Sequence, residues 1–421
     1  MQVMKWSVIA LAVAAGSSQM AFASSQSESK GIVEDTSFNI FNRVLYHNRD
    51  FRSGEPQRND QSYVEETGLG IRLLLESGFT QGTVGVGFDA HSLSSIKLDS
   101  GRGRHGSGQI GTTNDGRGDD TQTEIGGAIK FRVSDTVLKH GNMFVSSPVF
   151  STDDSRILPE VATGTLITSN EIEGLELTAG RFTALNSQRN TGRDSKTQNG
   201  FSLKSADIVG ASYSFTDNFS GALHASNVED FWDREYINLN YNLPLAEEQA
   251  LNFDFNAYNT DSEGDELAGE VDNRIWSLAA AYSVGAHKFT VGHQRSSGST
   301  GHNYGVDGGG TIWLNNSVQY SDFNYEDEKS YQVRYDVNMA SYGMPGLSFM
   351  TRYTYGTDID LGADSDGNER ELDFEAKYVI QEGAAKDLSF RIRNAFYRAD
   401  NELDNDINDF RLIVEYPLSV L

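Results

Sequence analysis

The chain has 421 residues, with 34 basic against 60 acidic side chains, a formal net charge of −26 and no cysteine. This charge argues against a nucleic-acid-binding protein, because phosphate backbones are bound by basic surfaces. An exported chain without cysteine cannot be held by disulfides and must rely on its own hydrogen-bonded framework. The 42 glycines and 6 prolines suit a long sheet with tight turns.

Residues 1–23 have the pattern of a secretory signal peptide. Lys5 provides the positive charge, Trp6 begins a short apolar run, and Ala21–Ala23 forms a small-x-small cleavage site. We therefore predict a single mature domain over residues 24–421, whose formal charge is 33 − 60 = −27 once Lys5 is removed. No later stretch has the roughly 20 consecutive apolar residues that a membrane-spanning helix needs.

Alternating segments recur along the whole predicted mature chain. In residues 388–397 and 409–416, apolar side chains tend to occupy every second position, with charged or polar ones between them. Successive side chains of a strand point to opposite faces, so each segment has one apolar and one charged face. Arginine on the inner face of a soluble sandwich would be a costly buried charge. In a transmembrane barrel, the apolar face meets lipid and the arginines face a water-filled lumen.

The number and spacing of these segments indicate a bacterial outer-membrane barrel. Of about nineteen alternating segments we expect about eighteen to be complete strands, since such barrels have an even number. Either Val137–Phe144 or Gly164–Ser169 is expected to be incomplete. Short connections such as Glu173–Gly174 alternate with long polar ones such as Ser92–Thr121 and Gly356–Arg370. The predicted fold is an all-β, transmembrane antiparallel β-barrel of about 18 strands with short periplasmic turns and long extracellular loops.

Two groups of apolar residues lie outside this alternation. The connection Ser146–Thr163 is too apolar for a free loop tip, so we predict that it folds into the barrel. Aromatic residues at segment ends are predicted to form the two interfacial girdles. They are Tyr46, Phe51, Phe79, Phe88, Tyr353, Tyr355, Tyr397 and Tyr416.

Cations predicted to face the lumen are the main functional signal. By strand parity they are Arg43, Arg72, Lys130, Arg132, Arg334, Arg352, Lys377, Arg391, Arg393 and Arg411. A guanidinium binds carboxylate bidentately and stays charged at physiological pH, so a row of them could pass an anion along one wall. The alternative is that these cations form structural salt bridges with lumen acids such as Asp336, Asp373 and Glu375.

Other kinds of site find little support in the sequence. His224, Asp230 and the serines of Ser296–Ser299 could form a hydrolase triad, but neither their spacing nor a nucleophile elbow supports one. Gly101–Gly106 does not lead from a strand into a helix, so it is no dinucleotide site, and we expect no cofactor.

One acidic loop could hold a divalent cation together with lipopolysaccharide. Its candidate ligands are Asp358, Asp360, Asp364 and Asp366. The glycine and the terminal glutamate of a calcium loop are out of register there. A solvated acidic loop without a metal is therefore the preferred interpretation.

Six sequence motifs along the chain are specific enough to compare with a known family. They are Gly78–Thr83, Leu158-Pro159 after Ser155-Arg156, Asn316–Asn324, Ala340–Gly346, Lys386–Arg393 and Phe410–Pro417. In these motifs the chain resembles the OprD family of substrate-specific outer-membrane porins, also called outer-membrane carboxylate channels. The resemblance covers essentially the whole chain.

This resemblance implies a monomeric 18-stranded barrel that is narrowed by inward-folded loops, with a basic ladder on one wall. The implied ladder residues are Arg43, Arg49, Arg132, Arg156, Arg181, Lys377, Arg391, Arg393 and Arg411. The implied acidic side of the constriction comprises Asp307, Ser317, Tyr320 and Asp322. Arg181 shares parity with Leu175 and Leu177, so it reaches the lumen only if Gly180 marks a bulge or the strand has ended.

We therefore expect a channel in the bacterial outer membrane for passive, selective diffusion of small carboxylate solutes, with outer-membrane lipid and lipopolysaccharide as its surroundings. Amino acids, especially basic ones, or small peptides are the expected solutes. Aromatic monocarboxylates are the alternative within the same kind of channel. A barrel-embedded serine hydrolase and a structural or adhesive barrel are the other classes, and no catalytic, metal-binding or nucleic-acid-binding residues are expected.

Overall fold

A computed structural model describes residues 26–52, 62–101, 103–193, 195–197, 199–310, 312–362 and 366–421. The predicted signal peptide, residues 1–23, lies outside the described residues. Eighteen antiparallel strands pair in sequence order, and the first strand also pairs with the last, so the sheet closes into a barrel. Closure satisfies the backbone hydrogen bonds without leaving an open edge, which a membrane-spanning sheet requires.

The strands follow one another as simple hairpins. Their bounds are β1 Ser37–Phe51, β2 Tyr63–Glu76, β3 Gly85–Asp99, β4 Thr121–Val133, β5 Thr136–Met143, β6 Val161–Ile172, β7 Leu175–Asn186, β8 Ala206–Thr216, β9 Phe219–Val228, β10 Trp232–Ala246, β11 Gln249–Ser262, β12 Asp272–Val284, β13 His287–Gly298, β14 Lys329–Asn338, β15 Leu347–Asp360, β16 Asp366–Val379, β17 Ser389–Ala399 and β18 Ile407–Ser419. Two short 3-10 helices, Gln26–Glu28 and Met339–Tyr342, complete the described elements. In the described part of the chain, no helix is long and apolar enough to cross a membrane.

The structure confirms the strand count and corrects some boundaries. The expectation that Val137–Phe144 or Gly164–Ser169 is incomplete was wrong, because both lie mostly within paired strands, β5 and β6. Strands also extend further into the predicted loops than expected, with β3 reaching Asp99 and β15 reaching Asp360. These extensions continue the antiparallel pairing.

The two faces of the strands are assigned as the alternation predicted. On β17 and β18, Phe390, Ile392 and Leu412 are 41%, 47% and 37% exposed on the outer surface, whereas Arg411 is 6% exposed on the inner face. Apolar side chains therefore face lipid and charged ones face the lumen.

Three predicted girdle residues are exceptions. Tyr397 is 1% exposed and points inward, because it shares parity with Arg393. Phe51 shares the inward parity of Arg49, and the Phe79 ring lies 4.2 Å from the guanidinium of Arg132.

Two extracellular loops fold back into the barrel and provide its apolar core. Loop 3 (residues 144–160) and loop 7 (residues 299–328) pack against the inner faces of β5 to β12, and loop 3 also packs against β1 and β3. Phe150 of loop 3, for example, stacks on Phe182 of β7 with ring centroids 4.7 Å apart. The infolding predicted for Ser146–Thr163 is confirmed. The tip of loop 7 also contacts β16 and β18, where the Tyr320 N–H donates to Glu371 and the Gln319 side chain donates to Asp409.

Candidate functional site

Loop 3 is fixed to the barrel wall through Asp154. Its carboxylate accepts hydrogen bonds from Arg43 at 2.9 Å and from Arg72 at 2.8 Å. The neighbouring Ile157 is fully buried against the inner face of β2. This contact needs glycine at position 70, since a Cβ there would lie 2.1 Å from the Ile157 carbonyl oxygen. Charge pairing and close backbone approach together place loop 3 across the lumen.

Loop 7 is fixed by carboxylates on β16. The backbone N–H groups of Tyr320 and Ser321 donate to the two oxygens of Glu371 at 2.9 and 2.8 Å. The Ser321 hydroxyl also donates to Glu369 at 2.8 Å. Both glutamates are fully buried or nearly so, at 0% and 1% exposure. The tip of loop 7 is therefore held against the wall that carries the predicted arginines.

A first pair of ladder arginines shares one buried carboxylate. Asp409 of β18 accepts from Arg411 Nε at 2.7 Å and from Arg49 Nε at 3.1 Å. His47 Nε2 lies 2.7 Å from the same side chain, and Gln319 of loop 7 donates to it at 3.0 Å. Asp409 thus positions cations from β1 and β18 and connects them to loop 7.

A second pair lies nearer the periplasmic end of the same wall. Arg391 Nη2 donates to Glu375 at 2.7 Å, and Arg393 Nε lies 3.3 Å from the same carboxylate. The strand register places Arg393 opposite Arg411 and Lys377 opposite Arg391, so these cations form one continuous row. Within the described ranges, Lys377 has neither an ion pair nor a side-chain hydrogen bond.

The predicted structural salt bridges are also present. Arg334 pairs with Asp336 at 2.6 Å, and Arg352 pairs with Asp373 at 2.8 Å. The lumen therefore contains both one-to-one salt bridges and the row of cations. In the row, one carboxylate, that of Glu375, is shared by two arginines. The cations are held in place without being fully neutralised.

Carboxylates of loops 7 and 3 lie close enough to interact with each other. The Ser317 hydroxyl donates to Asp322 at 2.6 Å. Burial raises the pKa of Asp322 to about 6, although hydrogen bonds from Ser317 and Tyr304 oppose this, and the charge of Asp153 in loop 3 adds to it. Asp322 is therefore ionised at neutral pH and becomes protonated below about pH 6.

Tyr320 and Arg156 connect the two sides. The Arg49 guanidinium lies 4.8 Å from the centroid of the Tyr320 ring, and the Tyr320 hydroxyl donates to Asp404 at 2.8 Å. Arg156 projects from loop 3 into the same region, where burial and the neighbouring charge of Arg411 lower its pKa to about 10. Arg156 therefore remains a cation at neutral pH.

Asp307 has a different setting from Asp322. It lies in loop 7 beside Glu160 of loop 3, and both side chains line a small cavity between the loops. Burial, followed by the charge of Asp307, raises the pKa of Glu160 well above its usual value. The carboxyl groups of Asp307 and Glu160 thus form a contact between loop 7 and loop 3.

Two implied ladder residues lie away from the constriction. Arg132 faces the lumen near the periplasmic end, where its Nε donates to Gln26 at 2.8 Å and its guanidinium lies 4.2 Å from the Phe79 ring. The expectation that Arg181 reaches the lumen was wrong. Its side chain is 59% exposed on the outer surface and pairs with Asp207 at 2.9 Å, because β7 continues past Gly180 without changing faces.

Several site residues were missed by the sequence analysis. Asp409 and Tyr397 share parity with Arg411 and Arg393, so strand alternation could have identified both. Tyr304, Asp153 and Glu160 lie in loops, where no periodicity indicates which way a side chain points.

The suggested hydrolase triad is not assembled. His224 is on β9, Asp230 pairs with Lys204, and Ser296 accepts a hydrogen bond from Asn273 at 2.8 Å. Across the described ranges, no group of three or more metal-ligating side chains is placed to hold a metal ion. Asp358 instead pairs with Lys329 at 2.8 Å, and Asp364 lies outside the described residues.

Comparisons with known proteins agree with this architecture. The family model "outer membrane porin, OprD family" matches residues 30–420. Porin D of Pseudomonas aeruginosa is 46% identical over 449 aligned residues, covering 100% of both chains. The crystal structure of Acinetobacter baumannii OccAB1 is 33% identical, covers 94% of this chain and 100% of its own, and superposes with a TM-score of 0.88. The structure of Pseudomonas aeruginosa OpdK with vanillate is 32% identical, covers 92% and 100%, and has a TM-score of 0.84.

The matches extend over essentially the whole barrel, and the proteins matched are named as porins rather than enzymes. The closed 18-stranded barrel with an apolar outer face is the form in which such channels cross the bacterial outer membrane. The chain therefore belongs to the OprD family of outer membrane porins.

Proposed function

We propose that this porin conducts small carboxylates that also have a cationic or strongly polar group, with basic amino acids as the preferred class. The observation that supports this proposal is the pairing of opposite charges at one level of the lumen. Arg49 and Arg411 lie on the barrel wall and Asp322 lies in loop 7, while loop 3 contributes Arg156 near Arg411 and Asp153 near Asp322. A solute with both charges gains an interaction on each side, whereas a simple anion is repelled by the acids.

The row of cations provides successive weak sites for the carboxylate. The side chains of Arg391 and Arg393 remain 31% and 20% exposed to the lumen, and they share a single acid, Glu375. Partial neutralisation keeps each site attractive without trapping the solute, as conduction requires. The unpaired Lys377 continues the row toward the periplasm.

The acidic side provides the preference for a positive group. Asp322 is ionised at neutral pH, and the whole predicted mature chain has a charge of 33 − 60 = −27. Such a field attracts cations to the extracellular mouth, while the local row of arginines guides the carboxylate. Transport is passive in this proposal, because diffusion between weak sites needs no coupled energy source.

Aromatic monocarboxylates form the second candidate class. The Tyr320 and Tyr397 rings contact each other at a tilt of 50° with centroids 4.7 Å apart, and the Arg49 guanidinium lies over the Tyr320 ring. These rings offer an aromatic surface beside a cation, which would suit a benzoate-like solute. OpdK, which is 32% identical, has been crystallised with vanillate, an aromatic carboxylate.

Liposome swelling with purified protein would test both classes. Arginine, lysine, vanillate and a neutral sugar of similar size would be compared for the wild type and an Arg391→Ala/Arg393→Ala variant. We expect the variant to lose carboxylate uptake several-fold while sugar uptake changes little. The matched control is Arg181→Ala/Lys386→Ala, which removes two charges outside the lumen and should leave both rates unchanged.

The panel separates the two candidates. Faster swelling with arginine and lysine than with vanillate supports the basic amino acid class, and the reverse supports the aromatic class. An equal loss of sugar and carboxylate uptake in the double variant, or no loss of either, would mean that Arg391 and Arg393 are structural.

A further inference from the structure

A band of cations surrounds part of the outer surface at the extracellular ends of β12 to β17. These side chains share parity with the lipid-facing apolar residues of their strands, so they point away from the lumen. They are Arg274, Arg295, Lys329, Arg370 and Arg398. They have no part in the solute path, and the proposed function does not use them.

Four of these cations form two like-charged pairs in the strand register. Arg295 of β13 lies directly opposite Lys329 of β14, and Arg370 of β16 lies directly opposite Arg398 of β17. Residues opposite each other have Cβ atoms about 5 Å apart, and like charges at that separation are destabilising. A bound anion beside each of these two pairs would relieve the repulsion between its cations.

The protein itself supplies only part of that negative charge. Lys329 pairs with Asp358 at 2.8 Å, and Arg398 lies 3.8 Å from Asp406 while its Nη atoms donate to oxygens of β17 and β18. Within the part of the chain that the structure describes, Arg295 and Arg370 have no ion pair and no side-chain hydrogen bond. Each pair therefore presents one free guanidinium on the outer surface.

The depth of the band is set by the aromatic residues beneath it. His293, one outward position below Arg295, stacks on Tyr331 at 4.6 Å and contacts Trp276 edge-on at 5.2 Å. Such rings mark the boundary between acyl chains and headgroups. The cations lie one outward position beyond the rings, toward the extracellular side. They are therefore at the headgroup level of the outer leaflet.

We propose that these two pairs bind the phosphate groups of a bis-phosphorylated glycolipid headgroup, that of lipid A in lipopolysaccharide. A guanidinium fork matches phosphate oxygens bidentately, and the second cation of each pair adds charge. The pairs are separated by three strand spacings, about 14 Å. Along the strands they are offset by two residues, because Lys329 is opposite Thr357 and Arg370 is opposite Tyr355. At this separation a single phosphate ion cannot contact both pairs, whereas two phosphates on one headgroup can each contact one pair.

Native mass spectrometry of the detergent-solubilised barrel would test this proposal. Diphosphoryl lipid A is the probe, and the variant is Arg295→Gln/Arg370→Gln. We expect the variant to bind the probe at least tenfold more weakly than the wild type. The matched control, Arg181→Gln/Lys204→Gln, removes two other exposed cations that are already paired with Asp207 and Asp230, and it should bind like the wild type.

Further arms identify the source of the phosphate. Dephosphorylated lipid A should bind equally weakly to the wild type and to the variant. Millimolar inorganic phosphate should not displace diphosphoryl lipid A from the wild type. Equal binding of the probe to the wild type and the Arg295/Arg370 variant would overturn the proposal, as would full competition by inorganic phosphate. Single-channel conductance of the variant should equal that of the wild type, which shows that it is folded and separates this test from that of the solute path.

Discussion

Replacing Asp154 with alanine should loosen loop 3 without unfolding the barrel. Asp154 is the shared acceptor of Arg43 and Arg72, whose side chains are 14% and 8% exposed. After the substitution, Arg43 keeps its partner Glu415 at 2.8 Å. Arg72 keeps its 3.2 Å hydrogen bond to the Ile157 carbonyl oxygen and its position 4.9 Å from the centroid of the Phe41 ring, but its charge is left without a carboxylate.

The size of the effect follows from these contacts. Removing one partner of a buried ion pair costs about 3–5 kcal/mol, and the low end applies because Asp154 itself is 29% exposed. At about 1.4 kcal/mol per tenfold change, a cost of about 3 kcal/mol raises the undocked fraction of loop 3 on the order of 100-fold. Burial of Ile157, at about 1.5–3 kcal/mol, still favours the docked loop.

Single-channel recording in planar bilayers would detect this change. We expect more frequent excursions to higher conductance and a larger mean conductance than in the wild type. Asp115→Ala provides the control, because Asp115 is an exposed acid of another loop whose partners, Arg117 and Thr113, both belong to that loop. Identical conductance and fluctuations in Asp154→Ala and wild type would refute the view that this carboxylate holds loop 3 in the lumen.

Three further substitutions test other parts of the barrel. Between pH 7 and pH 5, wild-type uptake of lysine relative to a neutral sugar should fall as Asp322, with its pKa of about 6, becomes protonated; Asp322→Asn should abolish this dependence in swelling assays, and a persistent slope would exclude Asp322 as its source. Asp409→Asn should shift the reversal potential in a KCl gradient toward anion selectivity, since Arg49 and Arg411 lose their shared carboxylate; an unchanged potential would count against that role. Ile392→Arg should cost about 2–4 kcal/mol in folding titrations in vesicles if it lies near the bilayer midplane, and no loss would contradict its lipid-facing position.

Strand periodicity predicted the architecture because it has a fixed physical basis. A period of two assigns every side chain of a strand to lipid or lumen, and closure of the ring makes the assignment consistent across strands. Arg391 and Arg393 share one face of β17 for this reason, and both reach Glu375. Arg181 shows the same rule at work, since its parity with Leu177 indicated the outer face and the family resemblance alone suggested the lumen.

The contacts between loops could not be predicted in this way. Asp322 was identified through the resemblance, but its neighbours Tyr304 and Asp153 come from distant parts of the chain. Loop backbones have no repeating geometry, so the direction of a side chain depends on packing that forms only in the complete barrel. The shared use of Glu375 by two arginines likewise required the three-dimensional register.

The seam of the barrel has a consequence for assembly. β1 and β18 are the strands that close the ring, and the contacts across this seam include His47 and Arg49 with Asp409 and Arg43 with Glu415. Until β18 docks, the cations on β1 lack these carboxylates, and no row connects β17 to β1. Closing the ring and completing the arginine-lined wall are therefore the same event. A barrel that has not yet closed would lack the continuous row of cations, and with it the selectivity of the finished channel.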